Sequence, residues 1–384
     1  MGEEGDKINM KTKTVLVTGS EGFIGKNLIT RLQELDSVVI KSFDKEDNIE
    51  ILKKYLREAD IIFHFAGVNR PKKVEEFERV NAGLTTTLVE LLEEMDNKIP
   101  IVITSSIQAE LDNPYGKSKK MAEDELIKYA KKNSVPIYIY RLPNAFGKWS
   151  RPNYNSVVST FCYNISHNLD IIISDPKREL ELVYIDDIVE EFVKLLFRKD
   201  GDLNKYFYNI KRTFKISLGE LAEKIYQIRD MRKSLVVPDL SDDFMKVLHA
   251  TYLTYLDKDD FSYDMDIKED KRGSFIELIK SNSFGQVSVS RSRKGVIRGN
   301  HYHNTKNEKF CVIQGKAVIR LRSVLDDKII PYHVSDKKIE IVDIPPGYTH
   351  SIENLTEGDG EMILLIWANE VFDPENPDTY YCEV

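Results

Sequence analysis

Between residues 14 and 250 the apolar positions follow two alternating rhythms. Short unbroken runs (TVLVTG, VVIKSF, DIIFHFAG, IVITSS, VPIYIYRL) are rich in β-branched and aromatic residues and give way to turn formers or polar residues. Such runs fit strands buried on both faces. Polar stretches with helical spacing separate them, among them IEILKKYLREA, LTTTLVELLEEM and KSKKMAEDELIKYAKK. The alternation predicts a doubly wound α/β domain, a parallel sheet covered on both faces.

After Leu256 the rhythm changes. LDKDDFSYDMDIKEDKRG is charged and turn-rich, and beyond Ser274 the segments FIELIK, QVSVS, KFCVIQG, AVIRLRSV, IEIVDIP and EMILLIWA are short and punctuated by Gly and Pro. This predicts an antiparallel sandwich or barrel. The expected organisation is a polar tail over 1–12, an α/β domain over 13–256 and an all-β domain over 257–384.

Composition narrows the function classes. A chain of 384 residues suits two domains with full cores. The net charge of −8 comes from mixed charges with no basic block, which argues against a nucleic-acid partner. No apolar run reaches the ~18 residues of a membrane span, and no leader pattern precedes TVLVTG, so neither insertion nor export is expected. Met10 lies just before the first strand and offers a second start position. Three scattered cysteines, Cys162, Cys311 and Cys382, fit a reducing cytoplasm better than a disulfide framework.

Two clusters carry chemistry. In TGSEGFIG, Gly19, Gly22 and Gly25 follow a strand and open a helix, a loop whose free N–H groups suit a pyrophosphate. Tyr115 and Lys119 stand four apart in NPYGKSKK, on one helix face. An ammonium beside a phenol favours the phenolate, so the tyrosine pKa is expected to fall toward working pH. The serines of VITSS lie upstream, where a hydroxyl would meet the same substrate oxygen. In the second domain, GVIRGNHYHNTKNEKFCVIQG places His301, His303 and Glu308 between glycines, and PPGYTHSIEN adds His350. Histidines at i, i+2 on a strand share a face. Three imidazoles and a carboxylate suit a divalent metal such as Zn²⁺.

The first cluster resembles the extended short-chain dehydrogenase/reductase family, with its Rossmann-type fold. T-G-x-x-G-x-x-G runs from Thr18 to Gly25, Y-x-x-x-K from Tyr115 to Lys119, and HFAG, Asn81, Asn144 in RLPNAFG, and Asp186 and Asp187 in YIDDIV follow the family pattern. The resemblance implies Tyr115 as acid, Lys119 on the ribose and Ser106 on the carbonyl, with Ser105 the alternative. It implies nicotinamide contacts along Gly19, Gly22, Phe23, Ile24 and Gly25 and at Ala66 and Gly67. Asp44 could bind the ribose of NADH, whereas Lys41 and Lys45 could meet the extra phosphate of NADPH. The second cluster matches both cupin motifs except for one glycine, which implies a double-stranded β-helix or jelly roll. DKRGSF and IRGNHYH also resemble the cupin-fold epimerases of nucleotide 4-keto sugars, where the histidine of R-G-x-H is a base. Here that residue is His301, which cannot be both base and ligand, so Tyr302, Lys309 and Tyr348 become candidate proton carriers.

AGVNRP, SSIQ, DNPYGKSK, PNYNSV, GNHYHNTKNEKF and GYTHSIENL extend the likeness to the whole chain from about Met10. It resembles the CapF-type bifunctional enzymes of capsular polysaccharide synthesis, although Tyr302 and Asn304 stand where members vary. The resemblance implies C3 epimerisation of a UDP-2-acetamido-2,6-dideoxy-4-hexulose in the cupin. Reduction of C4 with NADPH would follow, giving UDP-2-acetamido-2,6-dideoxy-L-talose. It further implies zinc and a homodimer. Expected substrate contacts are Asn144, Asn153, Asn155, Arg272 and Lys309. Two other readings compete: a single-activity reductase with a structural cupin, and a non-catalytic nicotinamide or sugar sensor, which the presence of both Tyr115 and Lys119 disfavours. Trp149 and Trp367 read as packing, Asp186 and Asp187 as possible helix caps, and His64, His249 and His333 as structural.

Overall fold

The computed structural model describes residues 12–68, 73, 77, 81–198 and 201–384. The polar tail, except Thr12, and the Asn69–Pro71 end of AGVNRP lie outside the described residues. The chain divides into two compact units. The first runs to Ile225 and takes in Val247–Leu256; the second joins Tyr226–Lys246 to Asp257–Val384.

In the first unit, β1 (Lys13–Thr18), α1 (Phe23–Leu32), β2 (Val38–Phe43), α2 (Ile49–Glu58), β3 (Ile61–His64), α3 (Gly83–Glu94), β4 (Ile101–Ser106), α4 (Pro114–Asn133) and β5 (Ile137–Leu142) follow in order. Next come β6 (Asn144–Phe146), α5 (Val157–Ser166), β7 (Glu179–Tyr184), α6 (Ile185–Leu196), β8 (Phe207–Tyr208) and β9 (Phe214–Ser217); α7 (Leu218–Ser234) begins in this unit and α8 (Asp243–Leu253) ends in it. The main sheet runs β2-β1-β3-β4-β5-β8, with every pairing parallel. Strand residues alternate between two cores. Val15, Val17 and Phe63 pack with Leu28 and Phe192, while Leu16, Ile62 and Ile101 pack with Leu52, Leu88 and Leu126. Both sheet faces are therefore apolar, which is why the strands read as unbroken runs. Truncating a residue such as Leu16 to Ala would cost about 2–5 kcal/mol. Strand order reverses between β1 and β3, and their carboxyl ends open the crevice where such folds bind ligands.

The second unit is antiparallel. It contains β10 (Ile267–Asp270), β11 (Gly273–Ser281), β12 (Gly285–Ser292), β13 (Ile297–Tyr302), β14 (Glu308–Gln314), β15 (Lys316–Ser323), β16 (Ile329–Ser335), β17 (Ile341–Ile344), β18 (Tyr348–Asn354), β19 (Met362–Ala368) and β20 (Tyr380–Tyr381). Two sheets, β10-β11-β12-β19-β14-β17 and β16-β15-β18-β13-β20, enclose Phe310, Val312, Ile319, Leu321, Ile344, Ile352 and Leu364. This is the expected cupin-type jelly roll. Residues 226–246 group with it because the Val237 N–H donates to the Lys280 carbonyl (2.7 Å) and the Lys280 N–H to that of Leu235 (2.8 Å). No helix among the described residues is long and apolar enough to cross a membrane.

Candidate active sites

The first site sits at the carboxyl ends of β1, β3 and β4. Gly19 has φ +68°, and a Cβ there would meet the Ala66 backbone nitrogen at 2.6 Å, so only glycine fits this approach of the loop to the strand after β3. The N-terminus of α1 has no side-chain cap and no acid in its first turn, which leaves its N–H groups available to an anion. These features border a cavity of about 710 Å³ lined by Gly19, Gly22, Phe23, Ile24, Gly25, Gly67 and Lys119 among others. Those residues fit a dinucleotide. Ala66 does not line the cavity; its N–H points at the Thr18 hydroxyl (3.4 Å) and its backbone backs Gly19.

Tyr115 and Lys119 enter from the first turns of α4. Pro114 opens that helix, and Asn113 caps it by accepting the Gly116 N–H at 2.8 Å. Lys119 Nζ donates to the Thr104 carbonyl at 3.1 Å and stands 6.0 Å from the Tyr115 ring centroid. Burial lowers the Lys119 pKa to about 8. The expected fall in the Tyr115 pKa does not occur. Burial raises it, and a hydrogen bond with Ser106 only partly offsets that. Desolvation dominates, so the phenol stays protonated at neutral pH, as a proton donor must.

The two serines separate clearly. The Ser105 hydroxyl donates to Glu123 Oε1 at 2.6 Å, and that fully buried carboxylate also receives Arg141 Nε (2.8 Å) and one of its terminal nitrogens (2.7 Å). Ser105 is committed to this network, whereas the Ser106 hydroxyl accepts the Gln108 N–H at 3.2 Å and lines the cavity with Tyr115. Asn81 ties the chain after β3 to α4, donating to the Ser118 hydroxyl at 3.0 Å and accepting the Val68 N–H at 2.7 Å.

Asn144 and Asn155 line the cavity; Asn153 is not among its lining residues and sits at φ +53° with its amide toward Asn164. Trp149, expected as packing, lines the cavity half exposed at φ +67°. Asp186 and Asp187 do not cap α6. They lie in its first turn and pair with Lys148 and Arg212. The Asp44 carboxylate accepts the Glu21 N–H at 2.8 Å, beside the glycine loop. Lys41 is held by Glu58 (2.6 Å), and Lys45 lies exposed near Glu46 (3.5 Å). Both ring nitrogens of His64 are bonded, to Thr18 (2.7 Å) and Thr85 (3.0 Å), and burial lowers its pKa to about 4.

The second site lies inside the jelly roll. Donor atoms of His301, His303, Glu308 and His350 all fall within 4.8 Å of one another. His301 sits on β13 opposite His350 on β18, and a bulge between Gly299 and His301 sets that register. Gly299 has φ +100°, and a Cβ would meet the His350 carbonyl at 2.5 Å, so the bulge requires glycine. His303 falls just past β13, so the two histidines do not share one regular strand as expected.

His303 Nδ1 is 2.5 Å from the Asp378 carbonyl, which can only accept, so Nδ1 carries the proton and Nε2 is bare. That Nε2 lies 3.2 Å from Glu308 Oε2, and His350 Nε2, buried without a hydrogen-bond donor or acceptor, lies 3.3 Å from the same oxygen. Tetrahedral ligands at zinc distances are about 3.3–3.4 Å apart. Lone pairs converging on one point call for a shared cation, and the donor set fits a divalent metal. Burial, with His350 and His303 nearby, lowers His301 to about 4. Burial would raise Glu308, but the adjoining His303 and His350 rings hold it well below the usual carboxylate range.

The cavity beside this cluster is about 300 Å³. Lys309 is not among its lining residues: it alternates away from Glu308 along β14 and pairs with Asp343 at 2.5 Å. Arg272 also lies outside the lining, paired with Asp270 at the β10–β11 turn (2.6 Å), and Tyr302 and Tyr348 do not line it either. The lysine that does line it is Lys306, 6 % exposed, with Nζ 3.2 Å from the Thr379 hydroxyl. Its signal in sequence was its place in the loop between His303 and Glu308. Arg298, from the R-G-x-H segment, turns inward to the Ser292 hydroxyl (3.1 Å).

Comparison with known proteins agrees with this architecture. The NAD dependent epimerase/dehydratase family model matches residues 15–210, and that of the polysaccharide biosynthesis C-terminal domain matches 268–380. UDP-2-acetamido-2,6-beta-L-arabino-hexul-4-ose reductase of Pseudomonas aeruginosa is 46% identical over 96% of this chain and 98% of its own length. The crystal structure of the capsular polysaccharide assembling protein CapF from Staphylococcus aureus, also 46% identical, superposes with a TM-score of 0.89 over 96% of this chain and all of its own. A UDP-glucuronic acid 4-epimerase of Bacillus cereus, solved with NAD, is 18% identical with a TM-score of 0.54 over 63% of this chain and 98% of its own; it shares the fold of the first unit. The chain belongs to the CapF-type family, an extended short-chain dehydrogenase/reductase fused to a C-terminal β domain.

Proposed function

We propose that the protein carries out two steps on one UDP-linked 2-acetamido-2,6-dideoxy-4-hexulose. C3 is epimerised in the jelly roll, and the C4 ketone is then reduced in the first unit, giving UDP-2-acetamido-2,6-dideoxy-L-talose, a precursor of N-acetyl-L-fucosamine. The observation that carries this reading is the convergence of three imidazoles and one carboxylate beside a cavity, in a chain that also aligns Ser106, Tyr115 and Lys119.

Carbonyl chemistry fixes the order. The C3 hydrogen is acidic only while C4 is a ketone, because its removal leaves an enolate. A metal held by His301, His303, Glu308 and His350, zinc by the nature of the ligands, would supply positive charge for the developing oxyanion. Lys306 adds a cation in the same cavity. In the first unit Ser106 holds O4, Tyr115 gives it a proton, and Lys119 holds the ribose of the cofactor. NADPH, or NADH, supplies the hydride to C4 when bound. We further propose a cytoplasmic homodimer, following the family resemblance.

The test is deuterium uptake at C3 of the 4-keto sugar in D₂O, with enzyme and no nicotinamide, followed by mass spectrometry and NMR. Uptake that His301→Ala abolishes supports the two-step reading. Normal nicotinamide-dependent reduction without uptake would leave a plain reductase. The Pseudomonas relative, a reductase, favours that second reading, in which the metal would brace the β domain.

A further inference from the structure

The metal cluster depends on a residue far from its two motifs. Asp378 lies past β19, yet its side chain occupies the turn between His303 and Glu308. Oδ1 accepts the Asn304 N–H (2.9 Å); Oδ2 accepts the N–H groups of Thr305 (2.7 Å) and Lys306 (2.8 Å) and the Thr305 hydroxyl (2.9 Å). Its own carbonyl takes the His303 Nδ1 proton at 2.5 Å. One residue thus shapes the backbone of the turn and selects the tautomer of a ligand on its flank.

The segment that carries Asp378 is fixed along the same strand. Tyr380 and Tyr381 pair with Tyr302 and His301. The Cys382 N–H donates to the Asn300 carbonyl at 3.0 Å, and the Thr349 hydroxyl, next to His350, donates to the Cys382 carbonyl at 2.5 Å. Thr379 receives Lys306 Nζ. Residues beside each of the three histidines are therefore tied to 378–382.

We propose that Asp378 is a positioning residue of the metal site, setting the direction of His303 Nε2 and the span from His303 to Glu308. The inference rests on the metal reading above. Partners that orient ligands in this way typically contribute about 10–100-fold in metal affinity. A structural role confined to β20 would leave the coordination sphere unchanged.

The experiment uses the full-length chain, stripped with a chelator and titrated with Co²⁺. The visible ligand-field spectrum reports coordination, and competition with Zn²⁺ reports affinity. Asp378→Ala and Asp378→Asn are expected to weaken binding about 10–100-fold and to alter the Co²⁺ spectrum, with circular dichroism unchanged. Thr305→Val, which removes one bond of the set, should lose less. Failure of the unaltered chain to take up Co²⁺ or Zn²⁺ would sink the metal reading itself. Uptake by that chain with matching affinity and spectrum in both Asp378 variants would overturn the positioning role alone. Unfolding of both variants would overturn it as well, by making the residue a determinant of the fold.

Discussion

The two candidate sites are built in opposite ways. In the first unit, the reacting groups come from one strand–helix passage, Ser106 to Lys119, and the helix periodicity aligns them. In the second, the ligands come from β13, the loop after it, β14 and β18, and a bulge with Asp378 brings them into register. The first cavity is about 710 Å³ and bordered by an open helix N-terminus; the second is about 300 Å³ and ringed by side chains already bonded to one another. A local motif tolerates change elsewhere in the chain, whereas an assembled cluster is sensitive wherever a supporting strand is touched.

The sharpest break between the sites is expected from His350→Ala. Metal content and C3 deuterium exchange should fall to background while nicotinamide binding persists, as read by metal analysis and cofactor fluorescence. The reverse variant, Tyr115→Phe, should lower C4 reduction by about 10²–10⁴-fold and leave C3 exchange intact, measured on the same substrate. Loss of exchange in Tyr115→Phe would mean that the sites do not act separately.

How far the sequence foretold these sites follows the same division. Strand–helix alternation and the contiguous motifs revealed the first unit because its strands are apolar on both faces. β13, β16 and β18 (IRGNHY, IIPYHVS, YTHSIEN) have a weak apolar signal, so only the histidine spacing pointed to β13 and β18. Lys309 looked suitable because it adjoins Glu308, but neighbours on a strand point to opposite faces. Lys306 was signalled only by its place between His303 and Glu308, and Asp378 was invisible because its role arises from a turn far away in sequence. The rise in the Tyr115 pKa was equally hidden, since burial is not written in i, i+4 spacing.

A smaller effect would sharpen the contrast through pH. His64 is buried with a pKa lowered to about 4, so the unfolded chain binds its proton more readily. Its stability contribution is full above about pH 6.5 and is lost as pH falls toward 4, by about 3 kcal/mol in all. Thermal melts of His64→Gln between pH 4 and 7 should show a shallower acid slope than the parent. Lys119, lowered to about 8, loses its charge as pH rises through that value. The kcat/KM for the nicotinamide should then fall up to about tenfold per unit above pH 8, with C3 exchange not following it. Smallest of all, Asp44→Ala should shift preference several-fold toward NADPH, because it removes a negative charge facing a 2′-phosphate, on the order of 1 kcal/mol. Paired KM values for both nicotinamides check this.

The position of Asp378 also bears on how the protein is made. Every residue lining the first cavity lies within the first 156 residues. The jelly-roll cluster holds its four ligands by residue 350 but lacks the carbonyl that orients His303 until residue 378 has left the ribosome. On the proposed metal reading, loading waits for residue 378, and any change in residues 378–382 would delay it.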